Sequence, residues 1–252
     1  ALRPVLNRAH GSVSKPFLSA RWKNLFMVNY EVDSALLTPL VPQHCELDTF
    51  EGKHLVSLVA FQFLQTRVKG VKIPWHVNFP AINLRLYLKR TVNGESRRGV
   101  AFIQEIVPKR AITFVANTLF NEHYITRRMT QRVAVSDQIK AEYTFDEKGI
   151  TQRMTCFAAL RPHDIKPGSM EDFITEHYYG YNGGAGRKTL EYKVEHPSWR
   201  TYQIQDYTID VDFAAAYGSE WSNLTGMKPH SVLLAEGSEV KVYSGQKLKG
   251  NG

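Results

Sequence analysis

The 252-residue sequence predicts an α+β chain: a predominantly antiparallel β-sheet curled into a barrel or cone, with a few short helices. Strand-type segments separated by turn residues recur along almost the whole chain, and apolar residues at helical spacing fill only a few short stretches. The segment Ile82 to Val92 alternates strictly, with Ile82, Leu84, Leu86 and Leu88 on one face and Asn83, Arg85, Tyr87 and Lys89 on the other. About ten such strands in an open sheet would leave two unpaired edges, and curling the sheet on itself removes them.

The elements follow in order. Trp22 to Val32 has strand composition, and Asp33-Ser34 caps a short helix that must end near Pro42. A strand near Cys45 to Phe50 turns at Glu51-Gly52 into a longer one, His54 to Val68, whose apolar residues on both faces predict burial on both sides. Gly70 to Pro80 reads as an irregular loop. Ile82 to Val92 then turns at Asn93-Gly94 into a partner strand, Gly99 to Val107. Ala111, Ile112, Val115 and Leu119 stand at helical spacing and predict a helix over 109–120. Strands near Tyr124 to Val135, Ile139 to Phe145 and Ile150 to Leu160 come next. Ser169 and Asp172 form a capping-box pattern for a second helix, with Phe173, Ile174, His177 and Tyr178 as its buried stripe and Gly180 as its stop. Strands near Thr189 to Glu195 and Thr201 to Asp210, a short helix Phe213 to Tyr217, and strands Val232 to Glu236 and Glu239 to Tyr243 complete the series.

Residues 1–252 read as a single domain, with 1–16 an irregular N-terminal arm and 246–252 a frayed C-terminus, because no linker, repeat or low-complexity tract interrupts the pattern. No apolar run approaches the ~20 residues that span a bilayer, and residues 1–16 lack the apolar core of a secretory signal. Cys45 and Cys156 stand far apart without metal-type spacing and read as reduced thiols. A cytoplasmic location and no membrane partner are the expectation. The net charge of +8 favours acidic partners. The basic residues are dispersed in pairs such as Arg97-Arg98 and Arg127-Arg128, without the interleaved aromatics that stack on bases, so nucleic acid is the weakest of the partner readings.

Several motifs fail on detail. Gly180 to Thr189 is glycine-rich, but Arg187 breaks the Gly-Lys-Thr order of a phosphate loop, and a helix precedes it where a strand should. The nine histidines give no zinc spacing, so no metal is expected. No Gly-x-Ser-x-Gly elbow is present, and neither cysteine lies in an activating context. The polar face Asn83-Arg85-Tyr87-Lys89 remains. Enclosed in a curled sheet, its arginine would suit a carboxylate, whose two oxygens match the guanidinium fork; turned outward, it is a solvated face. Alternation alone leaves both open.

Together, Asn29-Tyr30-Glu31-Val32-Asp33, Leu40-Val41-Pro42, Val59-Ala60-Phe61, Asn83-Leu84-Arg85-Leu86-Tyr87, Phe173 to Tyr178 and Val194 to Trp199 resemble, in order and spacing, the uncharacterised bacterial YqjF-type family. That family is similar to the acetoacetate decarboxylases. The resemblance implies their fold, an antiparallel β cone around a central pocket, often assembled into homo-oligomers. Those decarboxylases form a Schiff base through a lysine whose pKa a neighbouring lysine depresses. By position the pair would fall within Asn121 to Tyr124, which holds no lysine, and no Lys-Lys pair occurs anywhere in the chain. The acidic residue expected near Ala81 to Asn83 is missing too. The resemblance therefore carries the fold without the imine route, unless Lys89 or Lys109 replaces the nucleophile.

The resulting expectation is a cofactor-free pocket protein for a small anionic or carbonyl-bearing ligand. Arg85 would anchor charge, and Asn83, Tyr87, His123 and Tyr124 would supply hydrogen bonds. As a lyase, isomerase or hydratase acting through an enolate, it would use His123 as acid and base. As a sensor, it would bind without turnover.

Overall fold

The computed structural model describes residues 15–109, 123–183 and 188–248. Fifteen strands form one hydrogen-bonded network: β1 (Leu18–Glu31), β2 (Glu46–Leu47), β3 (Leu55–Val68), β4 (Phe79–Val92), β5 (Glu95–Val107), β6 (Tyr124–Thr126), β7 (Met129–Val135), β8 (Ile139–Glu147), β9 (Ile150–Asp164), β10 (Tyr179–Asn182), β11 (Leu190–Glu195), β12 (Arg200–Asp210), β13 (Ser231–Ala235), β14 (Glu239–Val242) and β15 (Gln246–Lys247). Among the described residues, three short α-helices join them: α1 (Ser34–Leu37), α2 (Met170–Thr175) and α3 (Phe213–Tyr217). No helix among the described residues is long and apolar enough to cross a membrane.

Seven strands close into a barrel in the order β14-β11-β10-β5-β4-β3-β1, returning to β14. Strand β1 makes closure possible. One edge pairs with β3 along nearly its whole length; the other edge is divided, with Leu18 to Arg21 on β14 and Leu25 to Asn29 on β13. A register irregularity between Lys23 and Phe26, with Asn24 at φ 52°, separates the two halves. From β13 the sheet continues through β12, β9, β8 and β7.

Two apolar clusters result. Val28, Leu58, Leu84 and Leu86 pack with Tyr143, Met154, Phe213 and Trp221, so one face of the barrel strands is covered by the outer sheet and α3. The opposite face, including Met27, Val59, Phe61 and Tyr87, packs with Phe173 and Ile174 of α2 in the barrel interior. Burial of both faces explains the continuous apolar character of β3. It also resolves the β4 alternation: Ile82, Leu84, Leu86 and Leu88 meet the outer sheet, while Asn83, Arg85 and Tyr87 point inward.

The turn residues behave as their chemistry dictates. Asn93 and Gly94 close the β4–β5 hairpin at φ 51° and 82°. Asp33 caps α1 by accepting from the Ala35 amide, and Ser169 caps α2 by accepting from that of Asp172. The expected strand Tyr124 to Val135 is two strands, β6 and β7, interrupted at Arg127-Arg128. The helix expected over 109–120 lies almost wholly outside the described residues.

Gly180 corrects the sequence reading. It is a residue of β10, paired with Tyr192, and α2 already ends at Thr175. A Cβ at this position would lie 2.0 Å from Tyr192 Cζ, so glycine is required because the Tyr192 ring lies across the strand. Gly180→Ala should cost about 1–3 kcal/mol by overpacking, read as a lower urea midpoint, and Tyr192→Leu in the same chain should recover most of that loss.

Candidate functional site

Three neighbouring strands, β4, β5 and β6, bring a group of polar residues into the barrel. On β4, Asn83 stands opposite Val59 of β3 and Glu105 of β5, and Arg85 opposite Ser57 and Phe102; on β6, Tyr124 stands opposite Glu105. Asn83, Arg85, Glu105 and Tyr124 thus form a polar group in the wall of a cavity of about 180 Å³. Asn83 and Glu105 are only 3% and 6% exposed. The remainder of the wall is largely apolar.

Arg85 ends a relay of buried polar groups. Its Nη2 donates to the Ile174 carbonyl at 3.0 Å and to the Tyr87 hydroxyl at 3.4 Å. The Tyr87 and Ser57 hydroxyls are 2.5 Å apart, Ser57 Oγ donates to Asn29 Oδ1 at 2.5 Å, and Asn29 Nδ2 donates to Ser231 Oγ at 2.9 Å. Because the single Ser57 proton goes to Asn29, the Tyr87 hydroxyl donates to Ser57. Every bond then runs one way, from the guanidinium outward.

What Arg85 lacks is an anion. Arg90 and Arg97 both clasp Glu191, at 2.9 and 2.7 Å; Arg98 holds Asp48 and Arg127 holds Glu147, each at 2.7 Å. Arg85 makes no ion pair among the described residues, and its buried Nε has no hydrogen-bond acceptor there. Asn83 Oδ1, in the same wall, is likewise buried without a partner.

Behind the cavity lies a buried pair. His177 Nε2 faces Asp48 Oδ2 at 3.3 Å, and its ring packs 4.8 Å from that of Tyr87. Burial pushes His177 down to about 4, against the opposing pull of Asp48 and with a smaller contribution from Arg98. At neutral pH His177 is therefore neutral and donates to the Asp48 carboxylate, which its bonds from His177 and Arg98 hold below the usual carboxylate range although its burial opposes this. His196 stacks on Trp199 at 4.2 Å and is lowered by burial. Burial raises the thiols of Cys45 and Cys156 to about 12, and both are free.

Of the residues named from sequence, Asn83, Arg85 and Tyr124 come together in the cavity wall. Tyr87 points the same way but sits beneath the wall as a support for Arg85. His123 does not join them. Tyr124 faces the cavity, so period-two alternation turns its neighbour away, and the His123 side chain is exposed while its carbonyl accepts from the Glu105 amide. Glu105 and the Asp48–His177 pair escaped the sequence reading; a lone acid within the apolar run Phe102 to Val107 was the available signal for Glu105. No lysine lines the cavity among the described residues, Lys89 and Lys109 included. No cluster of metal-ligating side chains occurs there either.

The family model of DUF2071, described as an uncharacterized conserved protein, matches residues 19–239. The chain belongs to this family. The uncharacterized protein YqjF of Bacillus subtilis (strain 168) is 26% identical over 185 residues, 71% of this chain and 72% of that protein. Among solved structures, acetoacetate decarboxylase from Legionella pneumophila superposes with a TM-score of 0.64 at 11% identity, covering 94% of this chain and 88% of that one. The enduracididine biosynthesis enzyme MppR complexed with pyruvate gives 0.63 at 12% identity, covering 96% and 93%. An acetoacetate decarboxylase-like enzyme from Sphingomonas wittichii gives 0.63 at 10% identity, covering 99% of both chains. This DUF2071 chain therefore has the acetoacetate decarboxylase-like fold.

The buried histidine of the DUF2071 chain makes its stability depend on pH. The folded value of His177, about 4, lies below the ordinary 6.5, so the unfolded chain takes up a proton first as pH falls. Stability is then unaffected above about pH 6.5 and is lost progressively towards pH 4, by about 2 kcal/mol between pH 7 and pH 5. Urea unfolding at those two pH values should show that loss, and His177→Gln should remove most of the difference while lowering stability at pH 7.

Proposed function

We propose that the barrel cavity binds a small organic molecule bearing a carboxylate or a polarised carbonyl, with Arg85 as its charge anchor and Asn83 and Tyr124 as hydrogen-bonding neighbours. The observation that carries this reading is an arginine in the cavity wall that meets no counter-anion among the described residues. Arg85 is half-buried, and a cation withdrawn from water is favoured when an anion faces it. Five other arginines among the described residues meet carboxylates. Arg85 instead stands in a cavity wall where its Nε and the Asn83 amide oxygen are both buried without a hydrogen-bond partner among the described residues. Rotation of the Asn83 amide exchanges its oxygen and nitrogen, so the position can serve either a donor or an acceptor on the ligand. A fold neighbour of this chain, MppR, has been solved with pyruvate, a ligand of the same chemical kind. The tryptophan in the wall, Trp22, offers a readout. Arg85→Ala should lose at least tenfold in affinity for small carboxylates, measured by fluorescence titration, with an unchanged circular dichroism spectrum. Equal affinity in the variant would remove the anchor.

A second reading, turnover through an enolate, is favoured by Glu105, a carboxylate buried in the wall next to Asn83. It takes the acid/base place expected of His123, whose side chain is in solvent. Deuterium exchange of the proton α to the carbonyl of a bound keto acid, followed by NMR, should require the wild-type chain and stop in Glu105→Gln. A wild-type chain that binds without exchange is a sensor.

A further inference from the structure

The apolar part of the cavity narrows the ligand class, and the inference rests on the proposed role of Arg85. The inward faces of three adjacent strands change character together along the barrel. Trp22 of β1, Phe63 of β3 and Phe79 of β4 lie side by side in register at one end; four to six residues away along β3 and β4, Val59, Ser57, Asn83 and Arg85 lie at the other. The rings at the aromatic end hold one another: Phe63 stacks on Phe79 at 4.8 Å and 15°, and Trp22 meets Phe61 and Phe63 edge-on at 5.3 and 5.8 Å. The wall is thus preformed. Between the two ends stand Phe61 of β3 and, opposite it, Ala81 of β4. Ile73 and His76 of the loop preceding β4 border the aromatic end.

We propose that the cavity takes an aryl-substituted monocarboxylate, with the carboxylate at Arg85 and Asn83 and the ring among Trp22, Phe63 and Phe79. The volume of about 180 Å³ supports this size. An apolar cavity of about 150 Å³ suffices for benzene, so this one accommodates a single ring with a short spacer. A four-carbon keto acid would reach the anchor but leave the rings of the aromatic end without an apolar occupant. Three or more additional carbons buried among rings correspond to an affinity gain of roughly 50-fold.

Titration of the full chain with 3-phenylpropanoate, octanoate, acetoacetate and pyruvate, by calorimetry, tests the assignment. The expected result is 3-phenylpropanoate binding at least tenfold tighter than the two keto acids and tighter than octanoate. Phe63→Leu, which removes a ring from the aromatic end of the wall, should abolish most of that preference while retaining acetoacetate binding. Keto acids bound as tightly as 3-phenylpropanoate would overturn the aryl assignment and leave the anchor standing. Octanoate bound tighter than 3-phenylpropanoate would overturn it in favour of an acyl chain. Binding of 3-phenylpropanoate unchanged in Arg85→Ala, or no binding of any carboxylate to the wild type, would overturn the anchor and the aryl assignment together.

Discussion

Every part of this molecule depends on three central strands being buried on both faces. β1, β3 and β4 give one face to the outer sheet and the other to the barrel interior, and they cannot slip by one residue without exchanging the two. Leu84 and Leu86 would then enter the cavity, and Asn83 and Arg85 would face the apolar layer formed by Tyr143, Met154 and Phe213. Burying a guanidinium there, in a layer with no carboxylate to meet it, would cost several kcal/mol. The register that makes the core also makes the site.

Closure of the barrel gives the interior its chemical freedom. The backbone groups of the closed strands satisfy one another around the ring, so the inward side chains are not needed to complete the sheet's own backbone hydrogen bonding. Part of the interior is used for packing, and α2 delivers Phe173 and Ile174 to it. The remainder can hold polar groups if each is oriented. Arg85 is fixed by the Ile174 carbonyl at one point and by the Tyr87–Ser57–Asn29 relay at another. A guanidinium restrained this way loses little further freedom on meeting a ligand, which is the condition for it to serve as an anchor rather than as a flexible charge.

Much of this was legible in the sequence, and the failures have physical causes. The alternation of β4 specified two faces but could not say which was enclosed, because enclosure is a property of the closed ring and not of one strand. Gly180 read as a helix stop because glycine serves both at helix ends and where an aromatic ring crosses a strand; only the pairing with Tyr192 distinguishes them. His123 attracted attention as a titratable group near the position where a nucleophile was expected. Its orientation follows from Tyr124 facing inward, and the parallel pairing of β6 with β5 that turns Tyr124 inward joins residues far apart in the chain. Glu105 was hidden by its setting, since a single acid in an apolar strand reads equally well as a solvated position. Asp48 and His177 are 129 residues apart, and no local pattern connects them.

The likeness to acetoacetate decarboxylases at 10–12% identity fits the same physics. A barrel held by backbone hydrogen bonds and by patterned apolar faces can replace nearly all its side chains while retaining its path. Interior polar residues are then exchanged with the least penalty to the fold, provided each buried charge still finds a counterpart. With no lysine among the described residues lining the cavity, an imine has no nitrogen there from which to form, and the electron sink it would supply is absent. What occupies the wall instead is an arginine, a carboxylic acid and a phenol. These can hold an anion and move a proton but cannot form an imine with a carbonyl. The chemistry we propose for this barrel is accordingly proton transfer at a polarised carbonyl, with charge stabilised by the guanidinium in place of a covalent intermediate.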